Sequence, residues 1–296
     1  MPKEFDFTTT SGVRLIGAIL GDGCLDRLRR TYYANSNSRL IYGFIKDAKN
    51  VFGKDLKYSI RRKSKNSDVK IVSIYQTRYG KGLENIGLIP GRKVENNPHV
   101  PGFIFSLNKS KIAEFLSQII DDEGTVNMHA NYIRIKLCVV EGESQSNLIC
   151  DIRTLLSKIG IECSVYQHGR YRHANGVWRK SWQIQINSFE RLERLNEMLN
   201  LRHIKKRNKL NKLVGLKKLS MFPRKHVNEI YFSSMRSIQE SKGYFTANDL
   251  VPLLGRKIGH IRNMLHKYNS KGFVIKTEDV KSDGNWFYPA KYNLAI

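Results

Sequence analysis

Apolar and polar positions along the chain follow two rhythms, a helical one and a period-two one, and the same succession of rhythms occurs twice. After Thr8-Thr9-Thr10-Ser11, which offers N-caps, the apolar residues Val13, Leu15, Ile16, Ile19 and Leu20 keep helical spacing. The pattern predicts a helix that ends at Gly23 and leaves Asp22 at its C-terminal tip. A strand pair follows, Cys24–Arg30 and Tyr32–Asn37, turning near Arg30-Thr31. Leu40 to Phe52 reads as an amphipathic helix. Leu56–Arg62 and Val69–Thr77 form a second predicted hairpin, in which Leu56, Tyr58 and Ile60 alternate with Lys57, Ser59 and Arg61. A short helix near Gly82–Gly87 closes the unit, and Ile89–Leu107, with Pro90, Pro98 and Pro101, reads as an irregular linker.

The second half repeats this order. Ser110 caps a predicted helix Lys111–Asp122, followed by a hairpin of Thr125–Ala130 and Tyr132–Val140 around Asn131. A helix from Ser144 to Ile159 ends at Gly160, a second hairpin pairs Glu162–Arg170 with Trp178–Asn187, and Phe189–Leu199 closes the unit. Asp22 and Glu123 stand 101 residues apart, and Gly53 and Gly160, at the ends of the middle helices, 107 apart. Matching offsets across several elements imply a duplicated domain. Lys205–Lys218 then forms a basic helix.

Residues 226–296 have a different pattern. Three helices are predicted, Glu229–Glu240, a short one from a Thr246 cap to Leu254, and Lys257–Tyr268. Strands Gly272–Lys276 and Trp286–Tyr288 follow, around Ser282-Asp283-Gly284-Asn285. Three helices and a β-wing resemble a winged helix-turn-helix, which would turn Arg256, His260, Arg262, Asn263 and Lys267 toward DNA.

Charge narrows the partner. The chain has 51 Lys/Arg against 26 Asp/Glu, a formal net charge of +25, which calls for a polyanion and most simply nucleic acid. Residues 226–296 hold ten Lys/Arg against six Asp/Glu, so +21 of that charge belongs to the repeated part. No stretch reaches the roughly 18 apolar residues of a membrane span. The start, Met1-Pro2-Lys3-Glu4-Phe5-Asp6, lacks the apolar region of a signal peptide. Cys24, Cys138, Cys150 and Cys163 form no CxxC pair and read as reduced thiols, without a disulfide framework or zinc site. The expected location is cytoplasmic or organellar.

The candidate chemistry sits at the two acids. A carboxylate at a helix C-terminus faces the negative end of the macrodipole, and a metal cation shared with free helix carbonyls would reverse that penalty. Gly17 and Gly21, one turn apart, share a helix face that suits close approach of another backbone. The strands are rich in Arg, Lys, Asn, Gln and Tyr, side chains that read base edges from a β-ribbon in the major groove. The candidate DNA contacts are Arg27, Arg29, Tyr33, Asn35, Asn37, Lys57, Arg61 and Gln76 in the first half and Arg170, Arg172, Arg179, Gln183 and Gln185 in the second, with Arg256 and Arg262 beyond them.

Leu15-Ile16-Gly17-Ala18-Ile19-Leu20-Gly21-Asp22-Gly23 and Leu116-Ser117-Gln118-Ile119-Ile120-Asp121-Asp122-Glu123-Gly124 resemble the paired motifs of the LAGLIDADG homing endonucleases, in the single-chain form with two copies. The resemblance covers about residues 10–220 and includes Pro101-Gly102-Phe103 before the second motif. It implies an α+β fold of two pseudo-symmetric αββαββα domains, residues 1–108 and 109–225, whose motif helices pack at a pseudo-twofold axis under a β-saddle. The winged-helix-like segment, 226–296, would be an addition.

The resemblance also implies a site-specific, double-strand DNA endonuclease that works as a monomer with Mg²⁺ or Mn²⁺. Asp22 and Glu123 would bind the metals, and the carbonyls of Gly21 and Asp122 match positions that face them. A lysine beside each phosphate would be Lys93 in the first half and Lys205 or Lys206 in the second. Asn37 and Gln76 would be further water-organising groups. The alternatives on the same scaffold are a non-catalytic DNA-binding regulator and a maturase that binds intron RNA. An intein is disfavoured, since the first residue is not a nucleophile and no terminal His-Asn is present. Two departures stand out: Gln118 replaces the equivalent of Gly17, and Asp122 precedes Glu123, which makes Asp122 an alternative ligand.

Overall fold

In the computed structural model the described residues are 5–128, 130–174, 176–220, 224–278, 282–283, 286–287 and 290–295. The chain divides into two compact units, Met1–Asn211 and Lys212–Ile296.

The first unit opens with helix α1 (Thr10–Leu20), capped by Thr9, whose hydroxyl accepts from Gly12 N. Gly21 is its C-cap, so Asp22 lies in the turn beyond the helix and Gly23 begins a strand, where the sequence predicted a helix stop. The order continues β1 (Gly23–Leu25), β2 (Thr31–Asn35), α2 (Ser38–Phe52), β3 (Ser59–Arg62), β4 (Lys70–Ile74) and α3 (Thr77–Asn85). After α4 (Lys93–Asn96) and a 3₁₀ turn (Gly102–Ser106), the sequence of elements restarts. It runs α5 (Lys109–Glu123), β5 (Gly124–Asn127), β6 (Tyr132–Val140), α6 (Asn147–Lys158), β7 (Ser164–Arg172), β8 (Trp178–Ile186), α7 (Phe189–Met198) and α8 (Ile204–Ser220). The sheets are ordered β1-β2-β4-β3 and β5-β6-β8-β7, one topology used twice. All their neighbouring strands are antiparallel, and Gly23 pairs with Tyr33 as Gly124 pairs with Ile135.

The core lies where α1 and α5 meet. Every residue of α1 from Gly12 to Leu20 is buried, as is α5 from Phe115 to Asp121. Arg14 is buried with them, and its guanidinium donates to Glu114 on α5 and to Asn200 O at 2.6 Å.

Several expectations change here. Strand β1 stops at Leu25 because Asp26–Arg30 folds into its own loop: the Asp26 carboxylate accepts from Arg30 N and Nε, both at 2.8 Å, and Arg29 takes φ +60°. Strand β3 is an edge strand with Ile60 exposed, as is Tyr58 just before it, so the alternation there does not mark a buried face. Asn108, not Ser110, caps α5 by accepting from Lys111 N. The linker is ordered against the second half. Asn97, at φ +42°, takes Asn147 N on its side-chain oxygen at 2.9 Å, and Asp151 accepts from Val100 N at 2.8 Å.

In the second unit α9 (Arg224–Lys242), β9 (Phe245–Thr246), α10 (Ala247–Leu254) and α11 (Ile258–Ser270) precede β10 (Val274–Glu278), β11 (Ser282–Asp283), β12 (Trp286–Phe287) and β13 (Lys291–Leu294). Thr246 and Asp249 form a reciprocal capping box on α10, and Gly255 ends that helix in the left-handed region. Tyr231, Met235, Phe245, Leu250, Ile261, Leu265 and Val274 make its core. The sheet order is β10-β13-β9. The strand at Val274 therefore pairs with Lys291–Leu294 rather than with Trp286, which joins Asp283 in a separate two-stranded ladder. Tyr292 stacks on buried Phe245, and that apolar anchor draws β13 into the sheet. The predicted end of the wing, Tyr288, lies outside the described residues.

Candidate metal and nucleic-acid site at the paired helix ends

The two motif helices meet through residues of unequal size. A Cβ on Gly17 would sit 3.0 Å from Gln118 Cβ and 3.1 Å from Phe115 O, and one on Gly21 would sit 2.5 Å from Asp122 Oδ2. The glycines of α1 thus receive the side chains of α5. Asp122 fills its place as part of a polar network, accepting from Tyr33 Oη at 2.6 Å and from Gln118 Nε2 at 3.1 Å. Burial, and then the charge of Asp22, push its pKa up to about 8, although the two donors oppose the shift. Tyr33 is held by stacking on Phe44 of α2, with ring centroids 4.7 Å apart.

At the helix ends, Asp22, just past α1, and Glu123, the last residue of α5, interact with Lys93 and Lys206. Asp22 is open to solvent and accepts from Asn35 Nδ2 at 2.7 Å. Desolvation raises its pKa, against the pull of Lys93 and Lys206. Glu123 is half-buried and shifts the same way, again from desolvation, opposed by Lys93 and Lys206 and reinforced by the charge of Asp22. Each lysine sits on a helix C-terminus. Lys93 Nζ donates to Leu20 O at 2.9 Å and to Gly21 O. Lys206 Nζ donates to Ile120 O at 3.0 Å and Asp121 O at 2.6 Å, with Asp122 O farther off at 3.4 Å. Desolvation lowers both ammonium pKa values, and the surrounding acids work against it.

Asp121, the first acid of the second motif's run, is spent elsewhere. It is buried and accepts from Arg202 N at 2.8 Å and His203 N at 3.1 Å. Arg202 in turn grips Asp47 of α2 with both terminal nitrogens.

The donor set suits a hard divalent cation at the acids. Asp22 and Glu123 offer carboxylate oxygens, but the Gly21 carbonyl expected to face a metal already accepts from Lys93. Among the described residues no three His, Cys, Asp or Glu side chains are grouped to hold a metal. A cation here would complete its shell with water or phosphate oxygens.

The predicted nucleic-acid contacts fall into three sets. Arg27, Lys57 and Arg61 are exposed, as is Arg262 on α11 together with Asn263, His266 and Lys267. Arg179, Gln183 and Gln185 lie on one face of β8, opposite Val140, Lys136 and Arg134 of β6. Gln183 there is buried beside Tyr166, whose hydroxyl takes its amide at 2.6 Å. The third set makes contacts within the protein, and of it only Tyr33 is excluded from an open face. Tyr33 is fully buried and faces the helices, because residues 31, 33 and 35 share the inner face of β2. Asn35 binds Asp22, and Asn37 caps α2 by accepting from Arg39 N. Arg29 pairs with Glu84, Arg170 pairs with Glu141 while lying over the Trp178 ring, and Arg172 donates to Gly176 O. Gln76 precedes α3 with its Oε1 buried, and Arg256 is half-buried before α11. Lys205 is exposed, so Lys206 is the lysine at the site.

Arg134, Lys136 and Tyr166 were missed as candidates for the open sheet face. The alternation of β6, where Ile133, Ile135 and Val139 are buried, carried the signal for the first two.

Residues 110–200 match the family model of a LAGLIDADG-like domain, an interval that includes the second acid motif and its four strands. Over 289 residues, 95% of its length, the chain is 24% identical to glutamine–fructose-6-phosphate aminotransferase (isomerizing) of Methanocaldococcus jannaschii. The chain spans about a quarter of the length of that curated relative, 24%. Among the described residues no helix is long and apolar enough to cross a membrane.

Proposed function

We propose that the chain is a site-specific endonuclease that cuts both strands of a long duplex DNA with Mg²⁺ or Mn²⁺. One observation carries this reading: Asp22, Glu123, Lys93 and Lys206 interact at the ends of two paired helices that begin two units of the same topology. The LAGLIDADG-like match over 110–200 and the net charge of +25 support it.

In this mechanism Asp22 and Glu123 would hold the cations. Bound metal would supply a water of lowered pKa and neutralise phosphate charge. Asn35 fixes the Asp22 carboxylate through its 2.7 Å hydrogen bond. Tyr33 and Gln118 turn Asp122 inward, which favours Glu123 over Asp122 as the second ligand. Lys93 and Lys206 bring positive charge to the place where the phosphates would lie. The two sheets form the proposed saddle, with Arg61 on one and Arg134, Lys136, Arg179 and Gln185 on the other set against the duplex. The second unit is proposed as a winged-helix module that presents Arg262, Asn263, His266 and Lys267 of α11.

The test is cleavage of a randomised duplex library by the full chain with Mg²⁺, with broken molecules captured and sequenced. Defined sites should emerge, and Asp22→Asn or Glu123→Gln should bind the recovered site without cutting it. Cutting retained by both variants would remove these residues from the mechanism. Binding without cutting by the unaltered chain would favour the regulator.

A further inference from the structure

Two lysines from unrelated stretches arrive at equivalent places. Lys93 opens the four-residue helix α4, in Gly91-Arg92-Lys93-Val94. Lys206 lies in the first turn of α8, in Lys205-Lys206-Arg207. The ammonium of one spans Leu20 O and Gly21 O, and that of the other spans Ile120 O and Asp121 O. Carbonyls of the last turn, the negative end of the helix dipole and nearby carboxylates make each helix end a seat for a cation, although Ile120 O also accepts from Gly124 N. Each seat is occupied here by a lysine ammonium of the chain itself.

We infer that Lys93 and Lys206 act as built-in stand-ins for the metal, each seated on a motif-helix end in the metal-free protein, and that a divalent cation gains its place by displacing the ammonium. The inference rests on reading Asp22 and Glu123 as the metal-holding acids. A lysine suits this role because its charge is compact, its stem is flexible and its three donors can serve two carbonyls at once. An arginine would present a planar fork and keep its place. Removing the lysines should have two effects that a purely catalytic lysine would not cause. The metal-free protein should lose stability, because the helix-end carbonyls and acids are left without a counter-charge. The same change should tighten metal binding, because the competitor and its repulsion are gone.

The experiment titrates Mn²⁺ into the full chain without DNA and follows free Mn²⁺ by electron paramagnetic resonance. Unaltered protein is compared with Lys93→Met, Lys206→Met and Lys93→Arg, and melting is recorded in EDTA and in Mg²⁺. Each Lys→Met change should tighten Mn²⁺ binding by about tenfold or more, lower the melting temperature in EDTA and recover most of the loss in Mg²⁺. Lys93→Arg should bind Mn²⁺ no more tightly than the unaltered chain. A Lys→Met variant that folds only when Mg²⁺ is present also supports competition. Native circular dichroism with Mn²⁺ binding unchanged or weakened in both Lys→Met variants overturns the inference. If that result comes while Asp22→Asn still abolishes Mn²⁺ binding, the metal-site reading survives alone. Tight binding that persists in Lys93→Met/Asp22→Asn and in Lys206→Met/Glu123→Gln places the cation elsewhere and overturns both.

Discussion

Gly17 lies against Gln118, the residue 101 positions later and its own counterpart in the repeat. The same holds one turn on, where Gly21 lies against Asp122. When two similar helices pack about a local twofold axis, equivalent residues on the axis meet each other. Two large side chains cannot share that space, so one copy keeps glycine and the other fills the gap. The unequal motifs are therefore halves of one fitted surface.

That fit makes the glycines of α1 intolerant of a methyl group. Gly21→Ala should destabilise the chain by about 1–3 kcal/mol in urea unfolding, the usual cost of overpacking. Gly17→Ala should cost less, since its Cβ would meet Gln118 at 3.0 Å rather than Asp122 at 2.5 Å. Adding Asp122→Ala should recover part of the Gly21→Ala loss, and strictly additive effects would argue against the contact.

The Arg202–Asp47 pair should show a marked asymmetry. The Asp47 side chain is 4% exposed and that of Arg202 23%, so Arg202→Met strands a buried carboxylate. A loss of about 3–5 kcal/mol is expected for that variant. Asp47→Asn, which leaves the more exposed partner unpaired, should cost clearly less, and denaturant melts of the two variants check the order.

Asp122 gives the fold a pH signature. Its folded pKa, about 8, lies far above the usual aspartate value of 3.8, so folding takes up a proton between them. The stability it contributes is complete below about pH 4 and is lost as pH rises to about 8. Asp122→Asn should remove this dependence, and its advantage over the unaltered chain should grow from pH 5 to pH 8.5 in thermal melts.

Under the proposed function, Asn35 predicts unequal strand cleavage. It hydrogen-bonds Asp22, while no residue is recorded in that role beside Glu123 among the described residues. In Asn35→Ala the strand served by Asp22 should be cut about tenfold more slowly or worse, with the other strand unaffected and nicked duplex accumulating. Strand-specific end labels on a denaturing gel would read this, and equal slowing of both strands would contradict the assignment.

Much of this architecture was legible along the chain, and the residues show where legibility stops. Strand β6 runs from Tyr132 to Val140 as its alternation predicts, because a half-buried central strand writes its two faces into the sequence. Strand β3 alternates just as clearly but sits at an edge, where burial no longer follows the pattern. Tyr33 and Asn35 were placed in the DNA-facing set with the correct shared parity, but theirs is the face turned toward the helices, and Asn37 lies past the strand as the cap of α2. Parity groups residues, but only the helices that pack on a sheet decide which group is inside. The linker 89–107 read as irregular because its order comes from polar contacts with α6, which local pattern does not encode.

By itself the sequence determined the duplicated order of helices and hairpins, the two acid-glycine motifs and the strongly cationic character, all properties of local spacing and composition. The tertiary structure decided which acid points outward, which lysine reaches the site and which glycine meets which side chain. Those choices depend on residues roughly 70 to 100 positions apart converging through packing and long, flexible side chains, as Lys93 does on Gly21 and Tyr33 on Asp122.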